Sequence, residues 1–223
     1  MVKKTIIINN TPFVYEESII SYDNIRPITE DEAKELLSQT KRLFIQKGLN
    51  FYLAFGTLLG AVRDKTIVPG DEDVDVFVDN EKLLISILPF LYDNGLTLFR
   101  RIEGRIYSFW GSNGCYIDVY ILRPLKHSLW SLYCYNLSRL VIPKRFFKEY
   151  QDIFFLGDIY KCPKEPEKFL EFIYGKTWRT PIPNNHTNNE VKSHYYWQKY
   201  YKKTKRFIQS IIFWEKWKHI LGK

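Results

Sequence analysis

Residues 51–78 read FYLAFGTLLGAVRDKTIVPGDEDVDVFV. The stretch opens on an apolar, strand-like run, breaks at Gly56-Thr57 and continues as a short helical piece carrying Arg63. It closes on Asp71, Glu72, Asp73 and Asp75, which lead into the apolar strand of Val74, Val76 and Val78. Strand side chains alternate with period two, so Asp73 and Asp75 share one face and the valines the other. Two carboxylates held side by side repel and raise each other's pKa unless a cation sits between them. Hard oxygen ligands of this kind suit Mg²⁺ or Mn²⁺, ions that keep open positions for substrate phosphates. Asp118 interrupts a second apolar strand, Cys115-Tyr116-Ile117-Asp118-Val119-Tyr120. If the two strands are neighbours, three carboxylates converge. The Gly56-Thr57 step supplies the other half of such a site. A glycine at a strand end lets the backbone approach a phosphate, and the helix that follows offers free N–H groups. Arg63 can clamp a phosphate in a bidentate fashion or pair with Asp64 or Asp71. Arg101 and Arg105, on the strand pair leading to Asp118, are further candidates for phosphate contact, with solvated edge charges as the alternative. Glu72 reads as a solvated acid.

Outward from this stretch, the flanking segments predict a mixed α/β sheet with helices packed on it. Lys3–Ile8 and Phe13–Tyr15 form a hairpin around Asn9-Asn10. Thr29 caps a helix with Glu32 placed for a capping box, and Gly48 stops it. Leu49 to Phe55 is the first central strand and Asp73 to Val78 the second. A helix capped at Asp79-Asn80 follows, kinked near Pro89 and stopped at Asn94-Gly95. Strands at 96–101, 105–110 and 115–122 come next, with turns at Gly104 and Gly111–Gly114. Beyond Pro124 the pattern reads as helical and irregular. The organisation predicted is one catalytic domain over 1–192, with hairpin 3–15, motif core 49–122 and a helical part 124–181. A basic aromatic helix over 193–223 completes it.

Composition narrows the function classes. With 223 residues, 45% hydrophobic and 17% aromatic, the chain is long enough for a packed core. It has no run of about eighteen apolar residues and no signal-peptide core at its start. The expected location is the cytoplasm, or the cytoplasmic face of the membrane. Cys115, Cys134 and Cys162 are widely spaced and odd in number, which predicts reduced thiols rather than a disulfide framework or zinc knuckle. The formal charge is +8, and Tyr195–Lys223 alone carries +7 of it. Such placement is not the footprint of a nucleic-acid-binding domain. The tail alternates Trp197, Trp214 and Trp217 with lysines on an amphipathic pattern, the composition of an interfacial anchor, of a docked helix with a basic outer side, or of a helix that meets a partner or a second copy.

The longer strings resemble a known family. Gly56-Thr57-Leu58-Leu59-Gly60-Ala61-Val62-Arg63, followed by Ile67-Val68-Pro69-Gly70-Asp71-Glu72-Asp73-Val74-Asp75, is similar to the LicD/fukutin hallmark G-T-L-L-G-A-x-R, then I-P-W-D-D-D-x-D. This is a branch of the polymerase-β-like nucleotidyltransferase superfamily. Gly70 stands where the family usually has Trp, and Glu72 where it often has Asp. Ile117-Asp118-Val119-Tyr120 resembles the family's I-D-[IV]-[FY] strand. Tyr174-Gly175-Lys176-Thr177-Trp178-Arg179-Thr180-Pro181 resembles its Y-G-x-W-x-x-P ending, with one extra residue before Trp.

The resemblance implies a transferase that takes a phosphoryl-alcohol group, phosphocholine or a polyol phosphate, from a CDP-activated donor. The acceptor would be a sugar hydroxyl of a cell-surface glycan of the lipopolysaccharide, capsule or teichoic-acid type, in free or lipid-linked form. It implies metal on Asp73, Asp75 and Asp118, donor phosphates near Gly56, Thr57 and Arg63, and Asp71 or Asp118 as general base. Two other readings stay open at this level. One is a nucleotidyltransferase moving NMP from an NTP onto a small molecule. The other is an inactive copy of the fold that binds through its basic tail, against which three intact strand acids argue.

Overall fold

A computed structural model describes residues 2–18, 26–124, 132–135 and 140–181. Strands β1 (Val2–Ile8) and β2 (Thr11–Glu17) form the expected N-terminal hairpin, in register from Val2↔Glu17 to Ile8↔Thr11. Asn9 and Asn10 both adopt positive φ, as a two-residue primed turn requires. Helix α1 (Glu30–Gln46) starts at the predicted capping box. Thr29 Oγ1 accepts from the Glu32 N–H at 3.3 Å, and Glu32 Oε2 accepts from the Thr29 N–H at 2.9 Å. Its apolar stripe of Ala33, Leu36, Leu37, Leu43 and Phe44 is wholly buried.

The central sheet has five strands in the order β3-β4-β7-β6-β5. These are β3 (Tyr52–Leu53), β4 (Asp73–Val78), β5 (Thr97–Ile102), β6 (Ile106–Trp110) and β7 (Tyr116–Ile121). β4 and β7 run parallel and every other pair is antiparallel, so the sheet is mixed, as predicted. The first central strand is shorter than the sequence suggested. The chain leaves the sheet at Ala54, and α2 (Phe55–Leu59) begins at once, running into a π-helical turn over Gly60–Asp64. The kink expected near Pro89 is a break: α3 (Glu81–Ser86) ends at Ile87, and α4 (Leu88–Asp93) restarts with Pro89 in its first turn, where no N–H is needed.

The segment 124–181 reads from sequence as helical and irregular; its described residues hold more strand than helix. β8 (Arg123–Pro124), β9 (Leu132–Tyr135) and β10 (Leu140–Pro143) make a small antiparallel sheet. β11 (Tyr150–Phe155) and β12 (Asp158–Pro163) make a hairpin through Leu156-Gly157. Among the described residues there, the 3₁₀ turn Lys144–Phe147 and α5 (Pro166–Tyr174) are helical. Short apolar runs such as Ile153-Phe154-Phe155 fit either period, and the turn between them decides for strand. Cys115 and Cys162 are buried free thiols, as expected. The basic tail, 193–223, lies outside the described residues. Among the described residues no helix is long and apolar enough to cross a membrane.

Candidate active site

Parallel pairing sets the site. β4 and β7 are in register from Asp73↔Tyr116 to Val78↔Ile121, which puts Asp75 directly beside Asp118. The hairpin β6–β7 adds Ser108 opposite Asp118, and β5–β6 adds Arg100 opposite Ser108. One row thus crosses four strands: Asp75, Asp118, Ser108, Arg100. Asp73 sits one step up on the same face, next to Tyr116. Phe77 sits one step down and closes the floor in edge-on contact with Phe55, Phe147 and Phe169. Val74, Val76 and Val78 line the opposite face and are buried.

Asp73, Asp75 and Asp118 each offer a carboxylate oxygen, and these atoms lie within 4.8 Å of one another. Asp75 and Asp118 are 8% and 4% exposed. Burial pushes the carboxyl of Asp73 well above the usual range, followed by the charges of Asp118 and Asp71, while a hydrogen bond with Tyr116 draws it back. Asp75 is raised in the same way, by burial first and then by Asp73, Asp118 and Asp71. Asp118 is also raised by burial, although Arg100 and Ser108 work against the shift. Three desolvated acids of one sign, all hard oxygen donors, are the surroundings a divalent cation relieves. By this criterion the three residues fit such an ion.

Gly56 and Thr57 are built into the same cluster. The Gly56 N–H donates to Asp75 Oδ2 at 3.1 Å, and Thr57 Oγ1 accepts from the Asp75 N–H at 2.8 Å. Phe55, which precedes them, has φ +32, a strained backbone for a bulky residue, held by ring contacts to Phe77 and Tyr120. A Cβ at Gly56 would stand 2.6 Å from Asp71 Oδ2, so the glycine is the space into which the Asp71 carboxylate fits. Asp71 therefore faces the cluster without belonging to the three-acid group. Glu72 is not part of that group either.

The arginines fall out differently from their sequence order. Arg63 is committed to its neighbour: Nε donates to Asp64 Oδ1 at 2.8 Å and Nη2 to Asp64 Oδ2 at 2.7 Å, with Nη1 reaching the Trp178 carbonyl at 3.4 Å. Asp64 holds the Arg63 guanidinium charged, above its usual pKa. Arg101 donates to Tyr107 OH at 3.2 Å and pairs with Glu103 at 3.3 Å, in a network that continues to Glu81. Arg105 is exposed in the turn before β6. Neither is in the row of acids.

The arginine that is there, Arg100, was not singled out from sequence. Its Nη2 straddles the Asp118 carboxylate at 2.9 and 2.7 Å, and its Nε donates to Ser108 Oγ at 2.8 Å. Ser108 in turn donates to Asp118 Oδ1 at 2.5 Å. Counting the two hairpin registers outward from Asp118 would have found both residues. Trp110↔Tyr116 across the Gly111–Gly114 turn implies Ser108↔Asp118, and Ile102↔Ile106 across the Gly104 turn implies Arg100↔Ser108.

The sequence model of a family described as "LicD/FKTN/FKRP, nucleotidyltransferase domain" matches residues 48–165. Among curated proteins, the human "Ribitol-5-phosphate transferase FKTN" is 28% identical over 159 residues, covering 67% of this chain and 34% of that protein. The mouse protein of the same name is 29% identical over 160 residues, with the same coverage. "Uncharacterized protein RP689" of Rickettsia prowazekii (strain Madrid E) is 29% identical over 119 residues, covering 52% of this chain and 42% of that one. The chain spans about a third of the length of the fukutin relatives it matches. Solved structures that resemble it include the lincosamide antibiotic adenylyltransferase LnuA, lincomycin-bound, with TM-score 0.45, 12% identity, and coverage of 65% of this chain and 85% of that one. The antibiotic-resistance factor ANT(2'')-Ia has TM-score 0.46, 12% identity, and coverage of 74% and 82%.

Proposed function

The chain belongs to the LicD/FKTN/FKRP nucleotidyltransferase-domain family, and from that premise we propose that it is a metal-dependent phosphotransferase. It moves a phosphoryl-alcohol group, phosphocholine or a polyol phosphate, from a CDP-activated donor to a sugar hydroxyl of a cell-surface glycan. The observation that carries this reading is the convergence of Asp73, Asp75 and Asp118 on one face of two parallel strands, with oxygens within 4.8 Å of one another. A divalent cation, Mg²⁺ or Mn²⁺, held by these three would neutralise the donor pyrophosphate and stabilise the departing CMP.

The chain's own groups divide the remaining work. Gly56 and Thr57 fix Asp75 through its carboxylate and its N–H. Arg100 and Ser108 fix Asp118, and in doing so occupy the oxygens a general base would need. Asp71 is the base in this reading. It faces the cluster across Gly56, and its charge is felt by Asp73 and Asp75. It takes the proton of the acceptor hydroxyl as that oxygen attacks the phosphorus carrying the alcohol. Contact of Arg63 with a donor phosphate requires Asp64 to give up part of its hold. The enzyme works in the cytoplasm, with the basic tail on the membrane face where a lipid-linked acceptor would be displayed.

The test is a donor panel. CDP-choline, CDP-ribitol and CDP-glycerol are each incubated with the protein, Mg²⁺ and a glycan acceptor, and CMP is measured. Release of CMP from one of them, lost in Asp73→Asn, supports the proposal. Pyrophosphate release from NTPs with no CMP from any CDP donor contradicts it.

A further inference from the structure

The strand register sets an aromatic row beside the acids. Asp73 pairs with Tyr116 on β7, and Tyr116 pairs with Trp110 on β6. Residues directly opposite on neighbouring strands share a face. Trp110 therefore stands on the acid-bearing face, two strand spacings or about 10 Å from Asp73. On β5 the register shifts between Leu98 and Arg100, and Phe99 falls in the irregularity. Irregularities of this kind re-aim a side chain next to a site. The Phe99 ring stacks on the Trp110 indole, with centroids 4.5 Å apart and planes at 23°.

The three rings differ in what they leave open. Phe99 and Tyr116 are buried, at 2% and 3% exposure, whereas Trp110 is partly exposed. Tyr116 is steeply inclined to both, 5.5 Å from Trp110 and 5.9 Å from Phe99. A ring covering the far side of the indole would be much farther from Phe99 than from Trp110. The near-equal distances put Tyr116 beside the stack instead. Among the described residues, the indole face turned away from Phe99 thus has no ring against it. An indole braced on one face and open to a second ring on the other is a stacking platform for a planar π system.

The direction of transfer says which group lies there. In an in-line displacement the attacking and leaving oxygens are on opposite sides of the phosphorus. Asp71, the proposed base, meets Gly56 on the β3 side of the acids, whereas β6 lies beyond β7 on the other side. The departing CMP therefore leaves towards β7 and β6, and one ribose separates its phosphate from its base.

We propose that Trp110 stacks on the pyrimidine base of the donor nucleotide, with Phe99 and Tyr116 holding the indole in place. This rests on the donor reading above and adds the residue that binds the nucleoside. Stacking on an indole accepts any base, so Trp110 supplies affinity and not the choice of cytosine.

The experiment compares CMP with ribose 5-phosphate, which lacks the base, binding to the full chain in Mg²⁺ by isothermal titration calorimetry. Wild type should bind CMP more tightly by on the order of 10- to 100-fold. Trp110→Leu should lose that margin and leave ribose 5-phosphate unmoved. Trp110→Phe, which keeps a π face, should retain most of it. A Trp110 that only supported the fold would weaken both ligands alike, and that result overturns the proposal. CMP affinity unchanged in Trp110→Leu also overturns it; a raised KM for the acceptor glycan in the same variant would then assign the indole to a sugar. If Trp110→Leu does not fold, fluorine NMR of wild type labelled with 5-fluorotryptophan decides. The resonance missing from Trp110→Phe should shift with CMP and stay put with ribose 5-phosphate; a resonance that moves with neither, or equally with both, refutes the stacking. A wild type that binds no CMP is a different failure, which removes the donor reading and this inference with it.

Discussion

Replacing Asp75 by Asn should make the cation-free protein more stable while abolishing transfer. Asp75 is buried and has two like charges whose oxygens lie within 4.8 Å. At an effective dielectric of about 20, each such neighbour costs roughly 3 kcal/mol if both groups are ionised. Arg100 offsets the share of Asp118, and partial protonation of the raised carboxyls relieves more. A net gain of about 1 kcal/mol at pH 8 is the expected remainder, or ~2–4 °C in Tm for a chain of this size. Asn retains an oxygen for the Gly56 N–H, so the local geometry has no reason to collapse.

The same repulsion among the three acids has a pH signature. The carboxyls of Asp73, Asp75 and Asp118 titrate above 3.8 in the native chain and near it when unfolded. Between those limits the native state holds more protons, so the contribution of these acids to stability falls as pH rises through the window. Wild type without metal should therefore lose Tm from pH 5 to pH 8 more steeply than Asp75→Asn. Mn²⁺, which binds only the folded state, should recover wild type at pH 8 and leave the variant unmoved. Differential scanning calorimetry in chelator and in Mn²⁺ measures all of this. An Asn variant less stable than wild type at pH 8 in chelator would refute the reasoning, since the three acids would then not be in electrostatic conflict.

Three further expectations follow from the same site. Gly56→Ala should displace the Asp71 carboxylate, whose Oδ2 a Cβ would approach to 2.6 Å; misplacing the proposed base in this way predicts a ~10–100-fold lower rate of CMP release with Tm nearly unchanged. Thr57→Val strands the buried Asp75 N–H that Thr57 Oγ1 accepts, and should cost about 1–3 kcal/mol in urea unfolding, with Thr57→Ser close to wild type. Deleting 195–223 removes +7 of charge and should move the protein from the membrane fraction to the soluble one.

Much of the site was legible because alternation within a strand is a rigid rule. Asp73 and Asp75 had to share a face, and an acid inside Ile117-Asp118-Val119 had to face whatever that strand faced. That β4 and β7 are adjacent and parallel was not derivable from alternation. It depends on β5 and β6 turning back outside β7, a non-local choice made by the whole sheet. The arginines show the cost of ignoring parity. Arg101 is adjacent to Arg100 in sequence but belongs to the opposite face, where it meets Tyr107 and Glu103 rather than the acids. For Arg63, sequence offered both a phosphate and an acidic neighbour, and proximity favours Asp64, one residue away. Within 124–181 the apolar runs of the described residues are too short to show a period. What separates helix from strand there is the pairing across Leu156-Gly157 and between β9 and β10.

Which phosphorus the acceptor attacks is read directly by phosphorus NMR of the products. In a CDP-linked donor, one phosphorus carries the cytidine and the other the alcohol. If the acceptor hydroxyl attacks the phosphorus bearing the alcohol, a new sugar phosphodiester appears together with one equivalent of CMP, and both vanish in Asp73→Asn. That is the predicted spectrum. A product in which CMP has joined the acceptor and the free alcohol phosphate is released would contradict the account, placing the chain among enzymes that transfer the nucleotide itself.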